Sequence, residues 1–185
     1  MPRAASVSRD HVLAVAGRLF YDHGVRATGV AEVITAAGCG KQALYRLFPS
    51  KDDLVAAYLE MLAAERDRAA GEAEGSTGEG PAEQLVSLTA EVARWVARPG
   101  FRGCAMRNYL REYPSESTEA KRVAEGYLRR SKDRVERLAA AANPGGGADL
   151  AQKVWLVHEG LYGSYGATPH TLAVAVDLVS SLVAA

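Results

Sequence analysis

Apolar residues recur along this chain at intervals of three and four, the spacing of one helix face. No stretch alternates polar and apolar residues as a half-buried strand would. Between breaks carrying glycine and proline, the pattern predicts about nine helices and an all-α fold. The first is expected over about residues 8–23. Ser8 suits the N-cap, Asp10 lies in the first turn where the helix dipole favours an anion, and Val12, Leu13, Ala16, Leu19 and Phe20 form one apolar face. Gly24 is expected to end this helix as a left-handed cap. Two short helices follow, over about residues 30–36 and 41–47, with Ala37-Gly38-Cys39 as the turn between them and Pro49 closing the second. Ser50 then caps a long fourth helix, expected to reach about residue 70.

Residues 71–81 hold four glycines, three acids and a proline, and read as a loop. Further helices are expected over about residues 82–97, 104–112, 117–142, 149–166 and 170–183. The eighth carries Leu150, Val154, Val157, Leu161 and Tyr165 on one stripe. Ala151, Trp155, His158 and Tyr162 form a second stripe, so burial on two sides is expected. The ninth, with Leu172, Val176, Val179 and Val183 beside Leu178 and Leu182, is apolar almost all round.

With 48% hydrophobic residues among 185, the chain can bury a substantial core. Twenty-two basic residues balance twenty-two acidic ones, which argues against a wholly basic coat for nucleic acid but leaves room for a local basic face. Cys39 and Cys104 are too few and too far apart for a disulfide framework and suggest a reducing compartment. The opening residues lack the apolar core of a signal peptide, and the most apolar stretch, residues 172–185, is short for a membrane span. A cytoplasmic protein without membrane contact is expected. No Ser/His/Asp set, phosphate-cradling glycine loop or metal-ligand cluster stands out among the residues, four histidines included, so no enzyme, metal or cofactor is expected.

The informative segment runs from Thr28 to Lys51. Two short helices about a glycine turn have the spacing of a helix-turn-helix, whose second helix enters the major groove; a generic helical hairpin has the same spacing. The residues themselves are more specific. Leu19-Phe20, Gly24, Thr28, Val33-Ile34, Ala37-Gly38, Leu44-Tyr45, Phe48, Ser50-Lys51 and Leu54, in this order and spacing, resemble the DNA-binding region of the TetR family of transcriptional regulators. The close resemblance covers about the first 55 residues. Gly29 and Gly40 depart from it, standing where relatives often carry a capping serine or threonine.

The resemblance implies a DNA-binding domain over residues 1–55 and a ligand-binding and dimerisation domain over 56–185. Gly40, Lys41, Gln42 and Arg46 would face DNA, with Gln42 suited to adenine and Lys41 or Arg46 to guanine or phosphate. Tyr45 and Lys51 resemble the family's phosphate contacts, and Thr28 marks a helix N-terminus where free N–H groups favour phosphate. Residues 1–55 hold seven basic against five acidic side chains, a net of +2, so affinity would call on a dimer. The resemblance makes the chain a homodimeric repressor. Its interface would be the stripes of Leu150, Val154, Val157, Leu161, Tyr165, Leu172, Val176, Val179 and Val183. Its partner would be a near-palindromic double-stranded operator, and a small apolar ligand would release it. Trp95, Phe101, Met106, Asn108, Tyr109, Tyr113, Tyr127, Trp155, His158 and Tyr162 are the candidates for the ligand cavity, although aromatic residues at helical spacing are equally the material of plain core. The alternatives are a thiol redox-sensing regulator using Cys104 and a helical dimer without ligand response.

Overall fold

The computed structural model describes residues 7–75, 80–163 and 167–184. Among these lie nine helices and no strand: α1 (Arg9–His23), α2 (Val30–Ala37), α3 (Lys41–Leu47), α4 (Lys51–Glu74), α5 (Pro81–Val96), α6 (Ala105–Glu112), α7 (Glu119–Ala142), α8 (Gly147–Gly163) and α9 (Pro169–Ala184). The chain divides into two compact units. One comprises the chain up to Ala63 together with Cys104–Tyr127, and the other Ala64–Gly103 and Leu128 onward.

In the first unit, α1 begins as expected: Ser8 Oγ accepts the His11 N–H at 3.1 Å. Val12, Leu13, Val15, Ala16 and Phe20 are buried, as are Val33, Leu44, Phe48, Leu54, Val55 and Tyr58 in the same unit, and the Phe20 and Tyr58 rings meet at 5.7 Å between centres. Gly17 leaves room for the Tyr58 ring, which would lie 3.0 Å from a Cβ placed there. Gly24 does end α1, but not in the left-handed helical conformation. Its φ of 89° and ψ of 152° fall in an extended positive-φ region that is nearly glycine-only, so the turn to α2 opens rather than curls.

In the second unit, Leu85, Leu88, Val135, Leu138, Ala139, Leu150, Ala151, Val154 and Val179 form one apolar cluster, and Val92, Ala93, Val96, Leu161 and Leu172 another. Arg66 and Glu91 form a nearly buried ion pair at 2.9 Å, and the Arg66 guanidinium lies 4.1 Å from the Trp95 ring centre. The last turn of α4 outruns the pattern, because the helix continues through Gly71 to Glu74. Tertiary contacts override glycine's weak helix propensity here. Ala70 and Ala73 are buried, Glu74 receives Arg134 at 2.6 Å and also Arg137, and the Gln84 side-chain amide donates to the Glu74 carbonyl at 2.9 Å. This end of α4 is thereby capped from α5.

Two further differences concern α8 and α9. Helix α8 starts at Gly147 rather than about 149, pressed so closely on α7 that a Cβ there would lie 2.7 Å from the Ala140 Cα. More consequentially, the stripe expected to meet a second subunit is turned inward. Leu150, Val154, Leu161, Leu172 and Val179 are buried within the protomer's own clusters, and Val157, Val176 and Val183 pack against those clusters. Tyr165 lies outside the described residues. The large apolar side chains that the two helices leave exposed are Leu156, Val174 and Leu178. Periodicity identified two buried sides without saying which faced inward.

The contact at Gly147 predicts a substitution pair of opposite sign. Gly147→Ala should lower unfolding free energy by about 1–3 kcal/mol in chemical denaturation, since the obstructing atoms are backbone. Gly71→Ala, on an open face of α4, should instead raise it by about 0.5–1 kcal/mol.

Candidate nucleic-acid interface

The turn between α2 and α3 is fixed by backbone chemistry. Gly38 adopts the left-handed conformation at φ 61°, ψ 32°. Its N–H donates to the Thr35 carbonyl and the Cys39 N–H to the Ile34 carbonyl, each at 3.2 Å. This paired closure satisfies the carbonyls at the end of α2 and needs a residue without a Cβ penalty at its centre. Helix α1 braces the result: His11 Nε2 lies 3.2 Å from the Ala37 carbonyl oxygen, and the Arg9 guanidinium lies 4.8 Å from the Phe48 ring centre. Gly29 and Gly40 start α2 and α3 without side-chain caps, as their departure from the resemblance implied.

Helix α3 is seven residues long, and only one of its side chains is buried: Leu44, followed by Phe48 at the C-cap. Those two hold it to the core. Gly40, Lys41, Gln42, Tyr45 and Arg46 are all exposed along its outward side. Tyr45 is 40% exposed, so it is no core residue. The helix thus offers an amide, a phenol and two cations to an external partner, the donor and acceptor types that read base edges and phosphates.

Two other candidates have internal partners. The Thr28 side chain is fully buried, with its hydroxyl directed at the carbonyls of Gly24 (2.8 Å) and Leu19 (3.2 Å), so it is closed to phosphate and secures the turn after α1 instead. The N–H groups at the start of α2 remain the polar groups facing outward there. Lys51 Nζ donates to the Val25 carbonyl at 2.6 Å and keeps two further protons for other acceptors. Burial pushes its pKa below the usual lysine value, while the nearby Glu112 carboxylate pushes it back up.

Sequence reasoning passed over Arg26, Glu112 and Asp52. The Arg26 backbone N–H donates to Glu112 Oε2 at 2.7 Å, and the Glu119 N–H, at the start of α7, donates to Asp52 Oδ2 at 3.2 Å. A signal for the first was present. Glu112 is the last residue of α6, where the helix dipole disfavours a carboxylate, so a compensating partner was to be sought.

The candidate ligand residues separate into two groups. In the first unit, Met106, Tyr109 and Tyr127 are buried, and Asn108 and Tyr113 are half-buried. Tyr109 stacks on Tyr113 at 4.9 Å between ring centres, and its hydroxyl lies 2.8 Å from Thr118 Oγ1. Burial raises the pKa of both tyrosines above the usual value. In the second unit, Trp95 is flanked by Arg66 and Arg98, and Phe101 and Tyr162 pack on the cluster of Val92, Val96 and Leu161. His158 is buried, with Nε2 3.0 Å from Thr89 Oγ1, and Trp155 lies beside it. Cys104 is buried and Cys39 half-buried. Among the described residues no helix is long and apolar enough to cross a membrane, and no three histidine, cysteine or carboxylate side chains are grouped to hold a metal.

Against this geometry, residues 12–58 match the family model described as bacterial regulatory proteins, tetR family. Those residues run from the first core position of α1 into α4. No curated protein matches the sequence. Solved structures do. A TetR-family transcriptional regulator from Streptomyces coelicolor aligns at a TM-score of 0.88 and 25% identity, over 95% of this chain and 88% of that one. A Streptomyces avermitilis protein described as a transcriptional regulator of the same type aligns at 0.73 and 27%, over 92% and 97%. The regulatory protein TetR from Rhodobacter sphaeroides shares the fold at 0.76 and 21%, over 96% and 99%. Matched over residues 12–58 by the family model and along nearly its whole length by fold, the chain carries a DNA-binding head of the TetR type on the fold of the TetR-family regulators, with α2, the Gly38 turn and α3 as its helix-turn-helix.

Proposed function

We propose that the chain is a homodimeric repressor that reads a near-palindromic operator through α3 and leaves it when a small apolar ligand binds the body. The observation that carries the DNA reading is the division of α3: Leu44 and Phe48 inside, Lys41, Gln42, Tyr45 and Arg46 outside. In this reading residues 1–55 act as the DNA-binding part and 56–185 as the ligand-binding and dimerising part. Gln42 takes an adenine edge, Lys41 and Arg46 take guanine or phosphate, and Gly40 lets the start of α3 approach the duplex. Tyr45, Lys51 and the N–H groups opening α2 take phosphates.

Dimerisation uses the outer faces of α8 and α9. Leu156, Val174 and Leu178 are large apolar residues in water, the usual mark of a surface that associates. A two-fold pair would set its two α3 helices about 34–36 Å apart, one helical turn of DNA. The aromatic groups of the body support an apolar effector, with half-buried Trp95, Trp155 and Tyr162 as its contacts in the second unit. Tyr109 and His158, expected as polar anchors, already have partners in Thr118 and Thr89. An effector that binds the DNA-free state more tightly lowers operator affinity by that preference, typically about 1–3 kcal/mol. No enzymatic role enters this reading, and cytoplasmic residence goes with it.

Selection of bound duplexes from a random pool tests the DNA reading. Gln42→Ala should flatten base preference at one position of each half-site, a change of about 1–3 kcal/mol in discrimination. Tyr45→Ala should weaken all sequences alike and leave the preference intact. Unchanged selection by both variants would remove α3 from the interface. Leu156→Glu combined with Leu178→Glu should give a monomer in sedimentation velocity and lower affinity for a two-half-site duplex by at least about tenfold, with half-site binding retained.

A further inference from the structure

We infer that Glu112, at the end of α6, is a positioning residue for DNA binding: its carboxylate holds the turn between α1 and α2 in the conformation from which the helix-turn-helix is presented. The inference rests on the reading of α3 as the DNA-contacting helix, and it adds a residue that touches no DNA.

The turn is held at several of its peptide groups. Gly24, Val25 and Arg26 carry the chain out of α1. The Gly24 carbonyl accepts from the Thr28 N–H at 3.2 Å and from the Thr28 hydroxyl. The Val25 carbonyl accepts from Lys51. The Arg26 N–H is the donor that Glu112 takes, at 2.7 Å, a short charge-assisted bond to backbone rather than to a mobile side chain. Gly24 fits the same scheme. A Cβ on it would stand 3.0 Å from Glu112 Oε1, so the carboxylate sits against the face that glycine leaves bare. The φ of 89° forbids a side chain there independently.

The Arg26 side chain closes the clasp from the other side. Its guanidinium donates to the Glu112 carbonyl, pairs with Glu116 at 3.7 Å and lies 4.7 Å from the Tyr113 ring centre. Residue 26 is therefore bound to residue 112 through its backbone and again through its side chain. Both Glu112 and Arg26 stand in positions that local helix physics does not explain. A carboxylate at a helix C-terminus opposes the dipole, and an arginine in an open turn gains nothing from the turn itself. Their mutual contact explains both. The tie from Asp52 on α4 to the start of α7 is a second carboxylate-to-backbone bond between the two segments that make up the first unit, at other residues.

The sign of the effect separates positioning from simple charge. Removing an acidic side chain near a DNA-binding surface should tighten binding if only the field matters. Positioning predicts the reverse. In the full-length protein, Glu112→Ala should speed amide hydrogen exchange over residues 24–29, while peptides from α5 and α8 keep their protection. On the duplex selected by the unaltered protein, it should weaken affinity by about tenfold, the loss expected for one charged hydrogen bond, with the slope of log Kd against log salt unchanged. Glu112→Gln, which keeps the shape and one acceptor oxygen, should recover part of the affinity and part of the protection. Should the alanine variant exchange everywhere, the glutamine variant decides: loosening confined to residues 24–29 supports the clasp, and unaltered exchange there overturns it. Unchanged or tighter operator binding by Glu112→Ala overturns positioning while leaving the DNA reading intact. An unaltered protein that selects no duplex overturns the DNA reading, and the proposed role of Glu112 with it.

Discussion

The seating of Leu44 and Phe48 in the core of the first unit is the contact on which the DNA-facing surface depends. Helix α3 has two turns, a glycine in place of a side-chain cap and no acid in its first turn. An isolated helix that short does not hold its shape in water. Burying two large apolar groups supplies what propensity does not, at roughly 1.5–3 kcal/mol for each side chain fully removed from water. The exposed face of α3 can then be given over to recognition, because no residue on it is required for folding. Arg9 over the Phe48 ring and His11 at the Ala37 carbonyl extend the same support from α1.

Much of this was legible in the chain itself. Nine helices, the Ser8 cap, the bounds of α3 and the Gly38 stop follow from periodicity and local capping chemistry, which are properties of neighbouring residues. The features that escaped are those set by distant residues. Gly71 lies inside α4 because Arg134, Arg137 and Gln84 arrive from elsewhere to hold the last turn. Gly24 was recognised as a stop, but its open conformation answers to Glu112, far along the sequence. The outward set Lys41, Gln42, Tyr45 and Arg46 was readable because Leu44 and Phe48 fix the rotation of a short helix. Thr28 was not, since a hydroxyl at a helix start looks the same in sequence whether it faces water or a carbonyl.

The body shows the corresponding limit for apolar patterns. Helices α8 and α9 carry more apolar residues than one face can use, and a pattern of that kind leaves the rotation of the helix undetermined. The structure resolves the rotation. Val154 and Val179 are wholly enclosed, and Leu156, Val174 and Leu178 are not. The same holds for the aromatic residues of α5, α6 and α8. Tyr109 with Thr118 and His158 with Thr89 are each committed to a neighbour within their own unit, and the half-buried Trp95 lies between two guanidinium groups.

The nearly enclosed pair of Arg66 and Glu91 carries a consequence for how this sequence can change. Replacing Glu91 alone takes this partner from a nearly enclosed guanidinium, and replacing Arg66 alone leaves Glu91 to the exposed Arg94, a penalty of up to about 3–5 kcal/mol and comparable with the whole margin of many domains. Replacing both with apolar groups of similar volume carries no such penalty. The two positions are therefore expected to drift together among descendants of this chain, and the Trp95 ring, which rests on one of them, should move with the pair.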